Sequence, residues 1–432
     1  LQDIDDKGVI MPISADFKSR LYPIANQLVE HYGSPFHIYD EVGIRQTGEQ
    51  LKQAFSHLDG FREYYAVKAL PNPRILELMA DMGFGFDCSS IAEVLQSRQV
   101  GARGEDIMFT SNNTNQLEFE TAQADGGSIL NLDDISLIDK VKDFPELICF
   151  RYNPGPRRSG NVIIGNPVEA KYGVSYEQIV DAYRQAKQRG ASRFGLHTMV
   201  ASNELDYTYM VETARMVLDV VEMVSSELNI TFEFVNIGGG FGIPYRPKQK
   251  PLDLAAMASE IGDIFAAFKN RHGYVPKMYM ESGRFMTGPH GCLLTRAINH
   301  KNIYRNYIGV DACMSALMRP GMYDAYHHID VIGKESEPAD QLYDIVGSLC
   351  ENNDKFAIQR QFPRIEEGDI LAIHDTGAHG HSMGFQYNAR LRPQELLLKA
   401  DGTVELIRRA ETIADYLATL TFSADHFSPS RA

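Results

Sequence analysis

The chain has 432 residues, enough for two domains or for one barrel with a smaller companion. Its composition, 44% hydrophobic and 23% charged, is that of an ordinary soluble globular protein. With 42 basic against 57 acidic residues the formal charge is −15, which excludes nucleic acid and anionic membrane as electrostatically favoured partners.

The opening stretch, LQDIDDKGVIMPIS, lacks a basic start followed by an apolar core, so no secretory signal is expected. No later apolar run approaches the roughly 20 residues of a membrane helix. SPFHIYD (34–40) reads as a lone strand able to join a later sheet. From about residue 61 to 285, short apolar runs alternate with longer amphipathic stretches. The runs are YYAVK (64–68), GFGFD (83–87), DIMFT (106–110), SILNL (128–132), LICFRYN (147–153), RFGLHTMV (193–200), FEFVNIG (232–238) and KMYME (277–281). Eight strands with helices between them predict a (β/α)8 TIM-like barrel, over residues 41–285.

The first of these helices has its signals in order. In NPRILELMADMG, Asn72 suits the N-cap and Pro73 the first helical position, while Ile75, Leu78, Met79 and Met82 share one face and Gly83 can end the helix. In the next, Ser90 and Glu93 have capping-box spacing. After about residue 286 the texture changes to short β-rich runs, among them CLLTRAINH, NYIGVDA, YDIVGSL, DILAIHD, QELLLKA and VELIRRA. These predict a mostly antiparallel β-domain built from residues 1–40 and 286–432.

Several positions in this frame can carry chemistry. Alternation puts Tyr64, Ala66 and Lys68 on one face, with Lys68 at the carboxyl end where barrel enzymes build their sites. A strand-end lysine is ordinarily a surface residue; the sharper expectation is an amine whose pKa burial lowers, able to bond an aldehyde. Gly238, Gly239, Gly240 and Gly242 follow the seventh strand, where barrels often hold phosphate on backbone amides, although the same glycines suit a plain turn. Their spacing matches neither a dinucleotide fingerprint nor a Walker loop. Glu281 and Arg284 flank a tight turn, able to form a salt bridge or to hold two ends of a ligand. Arg319 and Tyr323 are four apart and can grip an anion. His374, His379 and His381 follow no metal-site pattern, so no metal is expected. Cys88, Cys149, Cys292, Cys313 and Cys350 have no CxxC pairing, which predicts reduced thiols and a cytoplasmic location.

Together, YYAVKALPNP, GFDCSS, RYNPG, EAKYG, NIGGGFG, ESGRF, MRPGMYDAYH, GSLCENND, GDILAI, GAHGHSM and QYNARLRP resemble, in order, the motifs of the fold-III pyridoxal-phosphate decarboxylases, and within them the diaminopimelate decarboxylase family. The resemblance runs from about residue 35 to 412. It implies an alanine racemase/ornithine decarboxylase-like fold and pyridoxal 5′-phosphate as cofactor. The implied reaction is decarboxylation of meso-2,6-diaminopimelate at its D-centre to L-lysine, the last step of lysine biosynthesis. Lys68 resembles the lysine that bonds the cofactor aldehyde, and Asp87 the carboxylate beside it. Gly238, Gly239, Gly240 and Ser202 would meet the phosphate, and Glu281 the pyridine nitrogen. Cys350 resembles an acid donated across a homodimer interface. Arg284, Arg319 and Tyr323 resemble the grip on the substrate's distal carboxylate, Glu351 the partner of its distal ammonium, and Tyr387 a tyrosine near the cofactor.

Three departures from the family pattern stand out. His-x-His-Ile-Gly-Ser reads HTMVAS, with Met199 where a ring-stacking histidine is expected; either the thioether packs on the ring or His197 takes the role by a shifted register. Gly-Ala-Tyr ends in His379, an imidazole near the phosphate. Glu-Pro-Gly-Arg has Ser282 for proline. The competing readings are a decarboxylase for ornithine, arginine or carboxynorspermidine, and a non-catalytic relative, which would be expected to have lost Lys68 or Cys350.

Overall fold

The computed structural model describes residues 13–161, 163 and 165–421. Residues 1–12 and 422–432, which the sequence assigns to the β-domain, lie outside the described residues. Strand β1 (Phe36–Asp40) comes first and belongs to the later sheet. Next come β2 (Arg62–Ala66), β3 (Gly85–Cys88), β4 (Gly104–Phe109), β5 (Ser128–Leu132), β6 (Leu147–Tyr152), β7 (Arg193–Thr198), β8 (Phe234–Asn236) and β9 (Lys277–Met280). These eight pair in parallel and close into a barrel, β9 lying against β2.

The barrel encloses a packed core. Tyr64, Met108, Ile129, Leu147, Cys149, Phe234 and Tyr279 fill it, with Phe234 stacked on Tyr279 at 4.5 Å between ring centres. Residue 195 must be glycine here, since a Cβ would lie 2.0 Å from the Phe234 ring. The opposite strand faces pack against the helical layer in the main core. In the helix Pro73–Asp81 the Asn72 side chain accepts from the Arg74 amide, and Ile75, Leu76, Leu78 and Met79 are buried. Each contributes about 1.5–3 kcal/mol relative to exposure. In the next helix Ser90 accepts from the Glu93 amide, but the Glu93 carboxylate reaches the Ser89 amide, one residue earlier than a capping box would have it.

The remaining strands are β10 (Gly291–Asn302), β11 (Asn306–Val310), β12 (Ile329–Val331), β13 (Gln341–Val346), β14 (Lys355–Phe362), β15 (Ile370–Ile373), β16 (Gln394–Leu398) and β17 (Val404–Arg408). They form a nine-stranded sheet with β1, in the order β14-β13-β11-β10-β1-β16-β17, with β15 also pairing β10 and β12 pairing β15. Most pairs are antiparallel; β1–β16 and β11–β13 are parallel. No helix among the described residues is long and apolar enough to cross a membrane.

Candidate active site at the carboxyl end of the barrel

The inward-facing residues that follow the packed core are polar, and they converge. Val67–Ala69 forms a 3-10 turn, so Lys68 lies two residues beyond β2 rather than at its end. Its amine is 2.9 Å from Asp87, on β3, whose side chain is 1% exposed against 45% for Lys68. Burial lowers the Lys68 pKa, but Asp87 and Glu281 outweigh it and push the amine up to about 12. The expected lowering is therefore reversed, because two carboxylates face the ammonium. Burial and the neighbouring Glu281 push the Asp87 carboxyl up, and Lys68 opposes them.

Glu281, just past β9, is the best-held group of the site. One oxygen accepts from the Asn236 side chain at 2.7 Å, and the other lies 3.0 Å from Nε2 of buried His197. Burial alone would raise its carboxyl, yet His197, Lys68 and Arg151 hold it below the usual range. His197 is thus committed to Glu281. Met199 instead turns its sulfur to the glycine loop, 3.3 Å from the Gly239 amide. That loop is tightly wedged: a Cβ at Gly239 would lie 2.0 Å from the Glu281 carbonyl oxygen, and one at Gly240 2.4 Å from that of Ala201.

A cationic wall stands beside this cluster. Arg284 donates to the Tyr245 hydroxyl at 2.8 Å and lies 3.5 Å from the Ser202 hydroxyl. Arg319, 5% exposed, sits 4.5 Å from the centre of the same Tyr245 ring, with one nitrogen 2.8 Å from Nε2 of His327. Neither arginine has an ion-pair partner among the described residues. The His379 amide donates to Ala69, tying its loop to the Lys68 turn. Burial, Arg284, Arg319 and Lys68 all push the His379 imidazole well below its ordinary value, so it is neutral.

The structure therefore gathers Lys68, Asp87, His197, Ser202, Gly238, Gly239, Gly240, Glu281, Arg284, Arg319 and His379. It does not bring in the rest. Tyr323 shares the short helix Arg319–Tyr323 but is exposed, and Cys350, Glu351 and Tyr387 are exposed as well. The Cys350 amide donates to the Asn388 side chain at 2.6 Å, so these loops form one surface group. No hydrogen bond or ion pair joins it to Lys68 among the described residues. The three neighbouring histidines part company: His374 meets Tyr22 and Asp330, His381 meets Arg392, and only His379 reaches the site.

Sequence reasoning passed over Asn236, Tyr245, His327 and the Arg151–Asp133 pair, whose atoms are 3.4 Å apart. Asn236 and Arg151 were within reach, since alternation along β8 and β6 turns them inward. Tyr245 and His327 lie in loops, where no periodicity marks them. A cavity of about 1190 Å³ lies elsewhere, in the outer layer between helices Glu41–Ala54 and Leu254–His272, and none of the gathered residues lines it.

Residues 44–288 match the family model described as "Pyridoxal-dependent decarboxylase, pyridoxal binding domain". The chain is 45% identical to Protein TabA of Pseudomonas amygdali pv. tabaci, over 98% of this chain and 99% of that protein. It is 35% identical to the diaminopimelate decarboxylase of Methanothermobacter thermautotrophicus, over 96% of each. Among solved structures, diaminopimelate decarboxylase from M. jannaschii in complex with L-lysine superposes with a TM-score of 0.84 at 30% identity, covering 92% of this chain and 94% of that one.

Proposed function

Because the chain belongs to the fold-III pyridoxal-dependent decarboxylases, we propose that it removes the carboxylate at the D-centre of meso-2,6-diaminopimelate, giving L-lysine and carbon dioxide. The family's cofactor, pyridoxal 5′-phosphate, fits the barrel mouth: an amine, a loop of close-packed glycines and an ionised carboxylate face it together. Bound there, it supplies an aldehyde that captures amines and an electron-withdrawing ring that makes loss of carbon dioxide from an amino acid feasible.

The chain's own residues divide the remaining work. Lys68 holds the aldehyde, and Asp87 keeps its amine aimed along the barrel mouth. The Gly240 amide and the Ser202 hydroxyl would take the phosphate, with neutral His379 at its side, while the Gly238 amide donates to the Asn236 side chain and the Gly239 amide faces the Met199 sulfur. Glu281, fixed by His197 and Asn236 and held ionised, would keep the ring nitrogen protonated. Met199, packed on the glycine loop, is the soft group left to cover the ring.

The observation that carries the substrate assignment is the pair Arg284 and Arg319, two guanidiniums on one tyrosine with no carboxylate in ion-pair contact among the described residues, buried Asp375 acting on Arg319 only from further off. A buried guanidinium without an anion is costly, so the natural ligand brings one. Diaminopimelate has a second carboxylate at its far end; ornithine and arginine do not. Tyr323 and Glu351 complete the grip on the distal carboxylate and ammonium. Cys350 serves as the acid that returns a proton to the decarboxylated carbon. Its exposure in the single chain fits a homodimer in which it reaches the partner's site.

The deciding experiment is carbon dioxide release measured in parallel on meso-diaminopimelate, ornithine, lysine and arginine. Turnover of meso-diaminopimelate at least tenfold above the others is expected, whereas turnover of ornithine or arginine without it would overturn the assignment. Tyr245→Phe provides a finer check. It keeps the ring under Arg319 and removes the acceptor for Arg284, a charged hydrogen bond worth about 1.5–3 kcal/mol. KM for meso-diaminopimelate should rise about tenfold with kcat within about twofold.

A further inference from the structure

One buried acidic residue next to the site has no place in the scheme above. Glu63 lies on β2, between inward-facing Tyr64 and the exposed end of the strand, and its register partner on β9 is Met280. Alternation turns it outward, away from the cofactor, yet it is 1% exposed. Its carboxyl accepts the backbone amide of Ser282. Burial pushes this carboxyl up to about 8, against the steadying effect of the Ser282 amide and hydroxyl.

Ser282 is the centre of the turn that presents two site residues in opposite directions. Glu281 points inward to His197 and Asn236, while Arg284 starts the short helix Arg284–Thr287 and reaches Tyr245. The turn is wedged between two other parts of the site. The Glu281 amide donates to the Gly238 carbonyl at 3.0 Å, and a Cβ at Gly283 would lie 2.8 Å from the Ala69 side chain, next to Lys68. Of this turn's backbone, the Ser282 amide is held from behind by a side chain of another strand. A carboxyl is an expensive group to bury for one amide, since desolvation costs several kcal/mol. Proline, which the family pattern places at 282, has no N–H to offer it. The serine and the buried glutamate therefore make sense only together.

We propose that Glu63 is a positioning residue, which fixes the Glu281–Arg284 turn through the Ser282 amide and so sets both the carboxylate that meets the cofactor ring and the arginine that meets the substrate. The inference rests on the roles given to Glu281 and Arg284 above. It places Glu63 and Ser282 as a coupled pair: losing either strands a buried polar group on the other, and losing both strands none.

The test is a double-mutant cycle on the holoenzyme. Cofactor dissociation is followed by absorbance during dialysis, and kcat and KM are measured beside it. Glu63→Gln keeps an acceptor for the amide and should hold the cofactor within about threefold of the parent. Glu63→Leu and Ser282→Pro should each weaken cofactor retention about tenfold or more, the scale of one stranded buried polar group. The combination of Glu63→Leu with Ser282→Pro should recover most of that loss. Additive losses, or Glu63→Leu matching Glu63→Gln, would overturn the proposal. If Ser282→Pro does not fold, the comparison of Glu63→Leu with Glu63→Gln decides alone. A coupling confined to thermal stability, with cofactor retention unmoved, also counts against it, because a purely structural contact would give that result. Cofactor absorbance is independent of which amino acid is decarboxylated, so an error in the substrate assignment leaves this readout intact.

Discussion

Lys68→Ala is expected to lose the near-ultraviolet and visible absorbance of lysine-bound cofactor and to release no measurable carbon dioxide, a fall in turnover on the order of 10³-fold or more. The reason is positional. The Lys68 amine stands at the barrel mouth, 2.9 Å from Asp87 and within the field of Glu281. Alanine removes the nucleophile and also strands the buried Asp87 carboxylate, so loss of activity alone does not separate chemistry from collapse of the site. Lys68→Arg makes that separation: it returns a cation to Asp87 but offers no amine able to bond an aldehyde. It should fold with the parent's thermal midpoint to within a few degrees and be equally inactive. Full activity in either variant sinks the assignment of Lys68.

The pKa of Lys68 marks where the sequence reading stopped. From YYAVK alone, burial is the visible influence, and burial lowers an amine. The raising influence comes from Asp87, 19 residues on, and from Glu281, more than 200 residues on, which only barrel closure brings together. The barrel itself was legible, because its eight strands are largely apolar runs, most of them separated by helices with side-chain N-caps. The β-domain was legible in its outline, but β12 and β14 were not named among its runs. β12 is three residues long, and β14, KFAIQRQF, is half polar because one of its faces is open. Glu63 shows the same limit at single-residue scale. A glutamate between an arginine and a tyrosine at a strand's start reads as solvent-facing, and nothing local reveals that β9 ends with an amide pointing at it. His197 and Met199 were left as alternatives for the ring-covering group, and the position of His197, 3.0 Å from Glu281, was not visible in the sequence.

Arg319→Leu should abolish most turnover of meso-diaminopimelate while the cofactor stays bound. Arg319 is 5% exposed, and burial and the nearby Arg284 charge push its guanidinium pKa down, only partly offset by Tyr245 and buried Asp375, so the pair is electrostatically uncomfortable. A distal carboxylate relieves that repulsion, which makes the grip strong. Removing one member of such a desolvated charge pair typically costs about 2–5 kcal/mol, so kcat/KM should fall on the order of 10²-fold. Leucine is close to the aliphatic part of the arginine in bulk and leaves the Tyr245 ring in place, which limits collapse. Cofactor absorbance should be unchanged, since Arg319 meets Tyr245 and His327 rather than Lys68 or the glycine loop. The residual turnover of ornithine, whose only carboxylate is the one to be lost, should shift by less than about threefold, because in that pose it never uses the contact. A uniform loss across both substrates points to damage of the site, and unchanged kinetics on meso-diaminopimelate refute the carboxylate grip. The outcome thus separates an arginine that recognises the far end of the substrate from one that only holds Tyr245 and His327 in place.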